Sequence, residues 1–353
     1  QDADAAVGGL EERSNAVVVN AVGLSAAWPL IVSEVGTEMH DLIRELYPIC
    51  RSLTGDGVRE SLRIINRHVE LEVTEVPSGT RVYDWTVPKE WNIRAAWIAD
   101  SKGSHVVDFA ESNLHVLGYS APVERKMTLA ELGSHLHTVP EHPDWIPLRT
   151  SYHSENWGFC LAHSVLEKLA EDTYEVHIDS SLEPGHLTYA EAYVPGGTSD
   201  EVLISTYICH PSVCNDGLSG IALIAALAKY LRRFRLRYSY RFLLSPGTIG
   251  PLCWLSRNEE HLGHVKHGLV VSCVGDPGII TYKQTFEGDA EIDQAAANVL
   301  RMSGEEHRIQ PFVPWGGDER QFSSPGFRLP IGALMRTPPG SFPEYHTSAD
   351  DLN

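Results

Sequence analysis

The sequence predicts an α/β protein, a mainly parallel mixed sheet flanked by helices, with a small β-rich domain inserted into it. Three observations predict it. Val202 to Leu223 reads VLISTYICHPSVCNDGLSGIAL, a β-branched strand, a turn-rich loop and a helix start in succession. After Glu201 strand-like and helix-like stretches alternate to the end, the pattern of a sheet covered on both faces. Between Glu70 and Gly196 the pattern is instead short alternating strands punctuated by Gly, Pro, Ser and Asn. The divisions expected are an N-terminal arm over 1–38, the α/β domain over 39–80 and 197–353, and the inserted β-rich domain over 81–196.

In chain order, Ser14 to Ser33 carries no charge, but the acidic QDADAAVGGLEER before it does not suit a secretory signal. Asn20, Ser25 and Pro29 interrupt the run as a membrane span. An arm packing on the body or on a second subunit is the expectation, which opens a homo-oligomer. Met39, Leu42, Ile43, Leu46 and Tyr47 fall at helical spacing, as do Leu62, Ile65 and Val69. The turn between them, Arg51 to Arg59, has two readings: anion binding through its amides and arginines, or ordinary capping. LEVTEVPSGT, RVYDWTVP, AAWIADSKGSHVVDF and LHVLGYSAPV read as strands, MTLAELGSHLHTV as a helix, and YEVHIDSSLEPGHLTYAEAYVPGG as strands again. Trp157 and Tyr152 read either as core or as the wall of a substrate cleft.

The 353 residues suffice for a large core, and a formal charge of −19 argues against nucleic acid or an anionic membrane as partner. Six scattered cysteines with no C-x-x-C pair suit reduced thiols and a cytoplasmic location. Cys209 and Cys214 flank His210, but strand alternation turns Cys209 away from the side that His210 faces.

Ligands of open α/β sheets gather at the carboxyl ends of strands. His210 and Asp216 follow the first strand and Ser245-Pro-Gly-Thr-Ile-Gly250 the second. Asp276 follows the third, Asp318 and Glu319 lie in the loop Trp315 to Gln321, and Arg336, Glu344, Tyr345 and His346 follow LPIGALM. Two imidazoles and several carboxylates converging on one edge are what a zinc site needs. Arg336, Tyr345, Tyr152 and Trp157 are the candidates for binding a small-molecule or short peptide-like substrate.

NDGLSG, VGD and YHTSAD resemble motifs of the zinc aminopeptidase and glutaminyl cyclase clan. YPICRSLTGDGVRESL, DWTVPKEWNIR, ESNLHVLGYS, DSSLEPGHLTYAE, CHPS, CVGDPG, DERQF and PEYHTSAD resemble the bacterial aminopeptidase-like domain family. That family often sits among polysaccharide or natural-product biosynthesis genes. The resemblance runs from about Met39 to the end and implies a phosphorylase/hydrolase-like aminopeptidase core holding zinc. It implies His210, Asp216 and His346 as ligands, with Asp276 as a fourth ligand or as a residue orienting a histidine. The clan has adjacent glutamates, a base and a ligand, where this chain has Gly247 and Thr248. One zinc rather than two is therefore expected, and another group must move the proton. Glu319 is the first candidate, with Asp318 and Glu344 behind it. Two functions stay open: a zinc enzyme acting on an amide or acyl group by hydrolysis, transfer or cyclisation, or a zinc-binding relative that binds without turnover.

Overall fold

A computed structural model describes residues 34–152 and 154–353. Most of the expected arm therefore lies outside the described residues. The chain divides into two compact units, 1–42 and 43–353. Of the first, residues 34–42 are helical.

The second unit is built on an eight-stranded mixed sheet. Its strands run, from edge to edge, Glu72–Pro77, His186–Val194, Ser239–Ser245, Glu201–Tyr207, Val265–Val271, Ile331–Met335, Ile280–Lys283 and His307–Gln310. The four central strands, from Ser239–Ser245 to Ile331–Met335, are mutually parallel. The first two of the order pair antiparallel, and so do Ile280–Lys283 and Ile331–Met335. Every residue of Glu201–Tyr207 is buried, as the continuous apolar run requires. One face packs Leu203, Leu243, Val270 and Ile331 against Trp254, Leu255 and Phe322.

The helix behind the central strand begins at Ser219 and runs to Leu231, three residues later than expected. Asp216 and Gly217 are non-helical, and Gly217 has a φ of 118° that favours glycine. Gly220 is needed for close approach, because a Cβ there would lie 2.4 Å from Thr206 Oγ1 and 2.5 Å from the Val271 carbonyl oxygen.

A four-stranded antiparallel sheet holds His105–Asp108, Glu90–Ala99, Thr173–Glu183 and Val123–Thr128. Its strands lie between Glu90 and Glu183, and His186–Val194, which follows, pairs into the large sheet. Two other expectations change. LHVLGYSAPV begins within a short 3₁₀ turn, Asn113–His115, and enters a strand only at Val123. MTLAELGSHLHTV is α-helical only over Leu129–Leu132, where Thr128 and Glu131 close a capping box and Gly133 follows. The core of the small sheet, Trp91, Ile98 and Val176 with Phe159 beside them, continues into Tyr207 at the end of the central strand and Cys209 just beyond it. The two sheets are therefore joined where the central strand ends. Among the described residues, no helix is long and apolar enough to cross a membrane.

Candidate metal centre

His210 stands three residues beyond the central strand, Asp216 in the non-helical turn before Ser219, and His346 after the strand Ile331–Met335. One ligand atom from each lies within 4.8 Å of the other two. His346 Nε2 is 2.8 Å from Asp216 Oδ2, and His210 Nε2 is 3.8 Å from the same oxygen. Asp216 Oδ2 and His346 Nε2 are both buried and, apart from each other, have no hydrogen-bond partner. Lone pairs so disposed fit a cation, and two imidazoles with one carboxylate are a donor set that zinc accepts. Burial lowers His210 to about 4, with His346 and Arg51 acting in the same direction, so its ring is neutral and able to ligate at neutral pH. Burial pushes Asp216 up, but His210, His346 and the Tyr207 hydroxyl outweigh it and hold the carboxyl at about 2.

A second layer fixes this geometry. Tyr207 donates its hydroxyl to Asp216 Oδ1. The Asp350 carboxylate accepts from the amides of Cys214, Asn215 and Asp216 at 3.1, 2.6 and 2.9 Å. Neither Tyr207 nor Asp350 stands out in the sequence. One is in a strand that reads as pure core, and the other is the last residue of a motif whose histidine draws the eye.

Asp276 stands apart from the cluster. Its Oδ2 accepts from Asn215 Nδ2 and Thr337 N, and its Oδ1 from Gly278 N and Thr337 Oγ1, at 2.7–3.2 Å. It ties the loop before Asp216 to two later loops, and none of these partners is a histidine. Arg336 holds the same region, donating to the Gly278 carbonyl at 2.9 Å. Tyr345 stacks on His346 with ring centroids 4.0 Å apart. Glu344 enters the network by its main-chain carbonyl, which accepts from Thr347. Trp157 stacks on His135 at 3.6 Å, and Tyr152 walls two cavities.

Glu319, expected first as the proton carrier, is fully buried and ion-paired with Lys283. It lines a cavity beyond Ala333 and Met335, away from the walls that His210 and His346 form. Asp318 is better placed. A Cβ on Gly247 would lie 3.1 and 3.3 Å from its two carboxylate oxygens and 3.2 Å from Tyr207 Cβ. Asp318 is buried, and its Oδ2 has no hydrogen-bond partner. Burial raises it to about 7, with Glu319 adding in the same direction and Arg320 opposing. Burial pushes Cys209 and Tyr152 up to about 12, and the charges of Asp318 and Asp216 add to both. Cys209 lies beyond the strand, where alternation no longer applies. Its Sγ is 3.6 Å from His210 Nδ1 and 3.8 Å from the Gly247 carbonyl.

A cavity of about 240 Å³ opens beside the two histidines, and another of about 540 Å³ shares Tyr152 with it.

The family model described as "Domain of unknown function (DUF4910)" matches residues 40–353. A Clostridium acetobutylicum protein, described as a polysaccharide biosynthesis protein with aminopeptidase-like domain, is 57% identical over 320 residues, 91% of this chain and 74% of its own. A crystal structure from the same organism, described as a peptidase, superposes with a TM-score of 0.90 at 55% identity, covering 93% of this chain and 78% of that one. A zinc aminopeptidase of Bacillus subtilis superposes with a TM-score of 0.63 at 10% identity, over 90% of this chain and 89% of its own.

Proposed function

Because the chain belongs to the family described as a domain of unknown function (DUF4910), and folds as the zinc aminopeptidases do, we propose that it is a hydrolase-like zinc enzyme. It acts on an amide or acyl bond of a small-molecule or short peptide-like substrate. His210, Asp216 and His346 would hold one ion, which supplies Lewis acidity toward a substrate carbonyl when bound. Asp318 is the proton carrier. Its free Oδ2 takes the proton from the attacking water or amine and returns it to the leaving group. The relative's description makes a biosynthetic substrate part of the same reading.

The observation that carries this reading is Asp318 against Gly247. The space that a longer side chain at 247 would enter already faces a carboxyl, and that carboxyl titrates near neutrality. Glycine at 247 then makes room for the base instead of marking its loss.

The test is Asp318→Asn, assayed on a panel of aminoacyl and acyl amides with zinc content measured in parallel. Activity is expected to fall about 10²–10⁴-fold with zinc retained. An unchanged rate would overturn the role of Asp318. Wild-type protein that holds zinc and binds a panel member but turns over none of them would favour binding without catalysis.

A further inference from the structure

One edge of the large sheet gathers apolar surface that water cannot satisfy. Of the ten large hydrophobic side chains exposed among the described residues, six fall between Phe286 and Trp315, namely Phe286, Val299, Met302, Ile309, Val313 and Trp315. Within this span lies the edge strand His307–Gln310, which pairs on one side only, with Ile280–Lys283. Ile309 stands in register with Tyr282, whose hydroxyl bonds Asp293 of the helix Glu291–Ser303. Ile309 therefore shares the sheet face of the helix that carries Val299 and Met302. Arg308 and Gln310 alternate to the opposite face, where they share a cavity wall with Val313 and Trp315. Apolar groups thus flank the free edge on both faces.

The backbone fixes what that edge can offer. The Gln310 carbonyl accepts from Gln284 N at 2.9 Å, so Gln310, and Arg308 two residues before it, turn their main-chain groups toward Ile280–Lys283. His307 and Ile309 turn theirs away from that strand, with no strand beyond to receive them. A short edge strand bearing a charge is a common defence against unwanted pairing. That defence accounts for Arg308. It does not account for apolar side chains gathered on both faces beside it, since exposed hydrophobic residues are unremarkable only when scattered singly.

We propose that this edge receives a second copy of the chain, whose own His307–Gln310 strand lies antiparallel to it across a twofold axis at His307. Chemistry selects that register from its neighbours. An axis at Arg308 would set two guanidinium groups side by side. An axis at Ile309 would bring His307 opposite Pro311, which has no N–H to donate. With the axis at His307, its amide and carbonyl bond their own copies. Glu306 then faces Arg308 of the other copy, twice over, at the close spacing of about 4.5 Å between Cα atoms. Glu306 and Arg308 are both exposed, and neither side chain has an ion-pair partner among the described residues. Such pairs set register and partner choice more than affinity. Affinity comes from covering Met302 and Ile309 on one face and Val313 and Trp315 on the other.

The test is sedimentation equilibrium of the 353-residue chain over a concentration series. Arg308→Glu, Glu306→Arg, the double variant carrying both, and Trp315→Ser are run beside the wild type. The wild type is expected to dimerise. Each single charge reversal should weaken the dimer at least tenfold by setting like charges opposite each other, and the double variant should restore it. Trp315→Ser should weaken it at least tenfold with no change of charge. All three positions are exposed, so melting curves matching the wild type separate loss of association from loss of fold. A wild type that is monomeric at every concentration would overturn the proposal and leave the edge to some other partner. A dimer indifferent to Arg308→Glu, as one formed through another surface would be, or a double variant no better than the single ones, would overturn it equally.

Discussion

Asp318 has two measurable properties that pull in opposite directions. Its folded pKa of about 7 lies above the ordinary 3.8. The stability it contributes is therefore fully present below pH 4 and is lost as pH rises through 7, where a buried group must ionise. A base, in contrast, works only when ionised. Activity should therefore climb through about pH 7 while thermal stability declines over the range that leads there. Asp318→Asn should remove the climb and flatten the decline, leaving the variant more stable than wild type at pH 8 by on the order of a few kcal/mol. A rate profile and a set of melting curves at pH 5 to 8 check both. Identical pH dependence in variant and wild type would return Asp318 to the inert core. The sequence could not rank Asp318 above Glu319, since both sit in one triplet. Lys283, the partner that separates them, comes from a strand 36 positions earlier that the sequence reading did not anticipate.

At the scale of elements, the helix Ser219–Leu231 owes its late start to a turn that has another task. Asp216 and Gly217 leave helical geometry, and the three amides before the helix converge on Asp350. One carboxylate thus satisfies donors that a longer helix would have left to solvent. Asp350→Ala should strand the buried amides of Asn215 and Asp216, while Cys214 N keeps the residue-350 main-chain carbonyl, and cost about 1–3 kcal/mol per unsatisfied group. It should also weaken zinc binding about 10–100-fold, as loss of a supporting partner does, read by equilibrium competition with a chelating dye. Unchanged zinc affinity would confine Asp350 to a capping role. The central strand and the His210–Asp216–His346 set were legible because each depends on local pattern or a short motif. The strand His186–Val194 was not, since its pattern fits either sheet and only its antiparallel pairing with Glu72–Pro77 and Ser239–Ser245 decides.

At the scale of the whole molecule, the site is a junction. Leu148 donates its amide to the His346 carbonyl and Ser348 to that of Ile146, so the segment bearing the last histidine is laced to the cavity wall that precedes Arg149. A metal held by His210, Asp216 and His346 would tie the loop after the central strand to the segment after Ile331–Met335. Ions that bind only the folded chain add about 2.7 kcal/mol at a hundredfold excess over Kd. Chelation should accordingly lower Tm, and His346→Ala should start low and ignore the chelator. Coincident melts of treated and untreated wild type would argue against a resident ion. The −19 charge read from composition was correct as a sum and silent on its distribution, because the full burial of Arg51 is visible only once the chain is folded.

Asp350 lies 134 residues beyond the turn it clamps. During synthesis the amino-terminal part of the site, with His210 and Asp216 in place, leaves the ribosome well before His346 and Asp350 exist. The unclamped turn has neither its second imidazole nor its carboxylate brace at that stage. A stretch that ends before His346 therefore offers only His210 and Asp216 of the three donors, and lacks the carboxylate that clamps the turn between them.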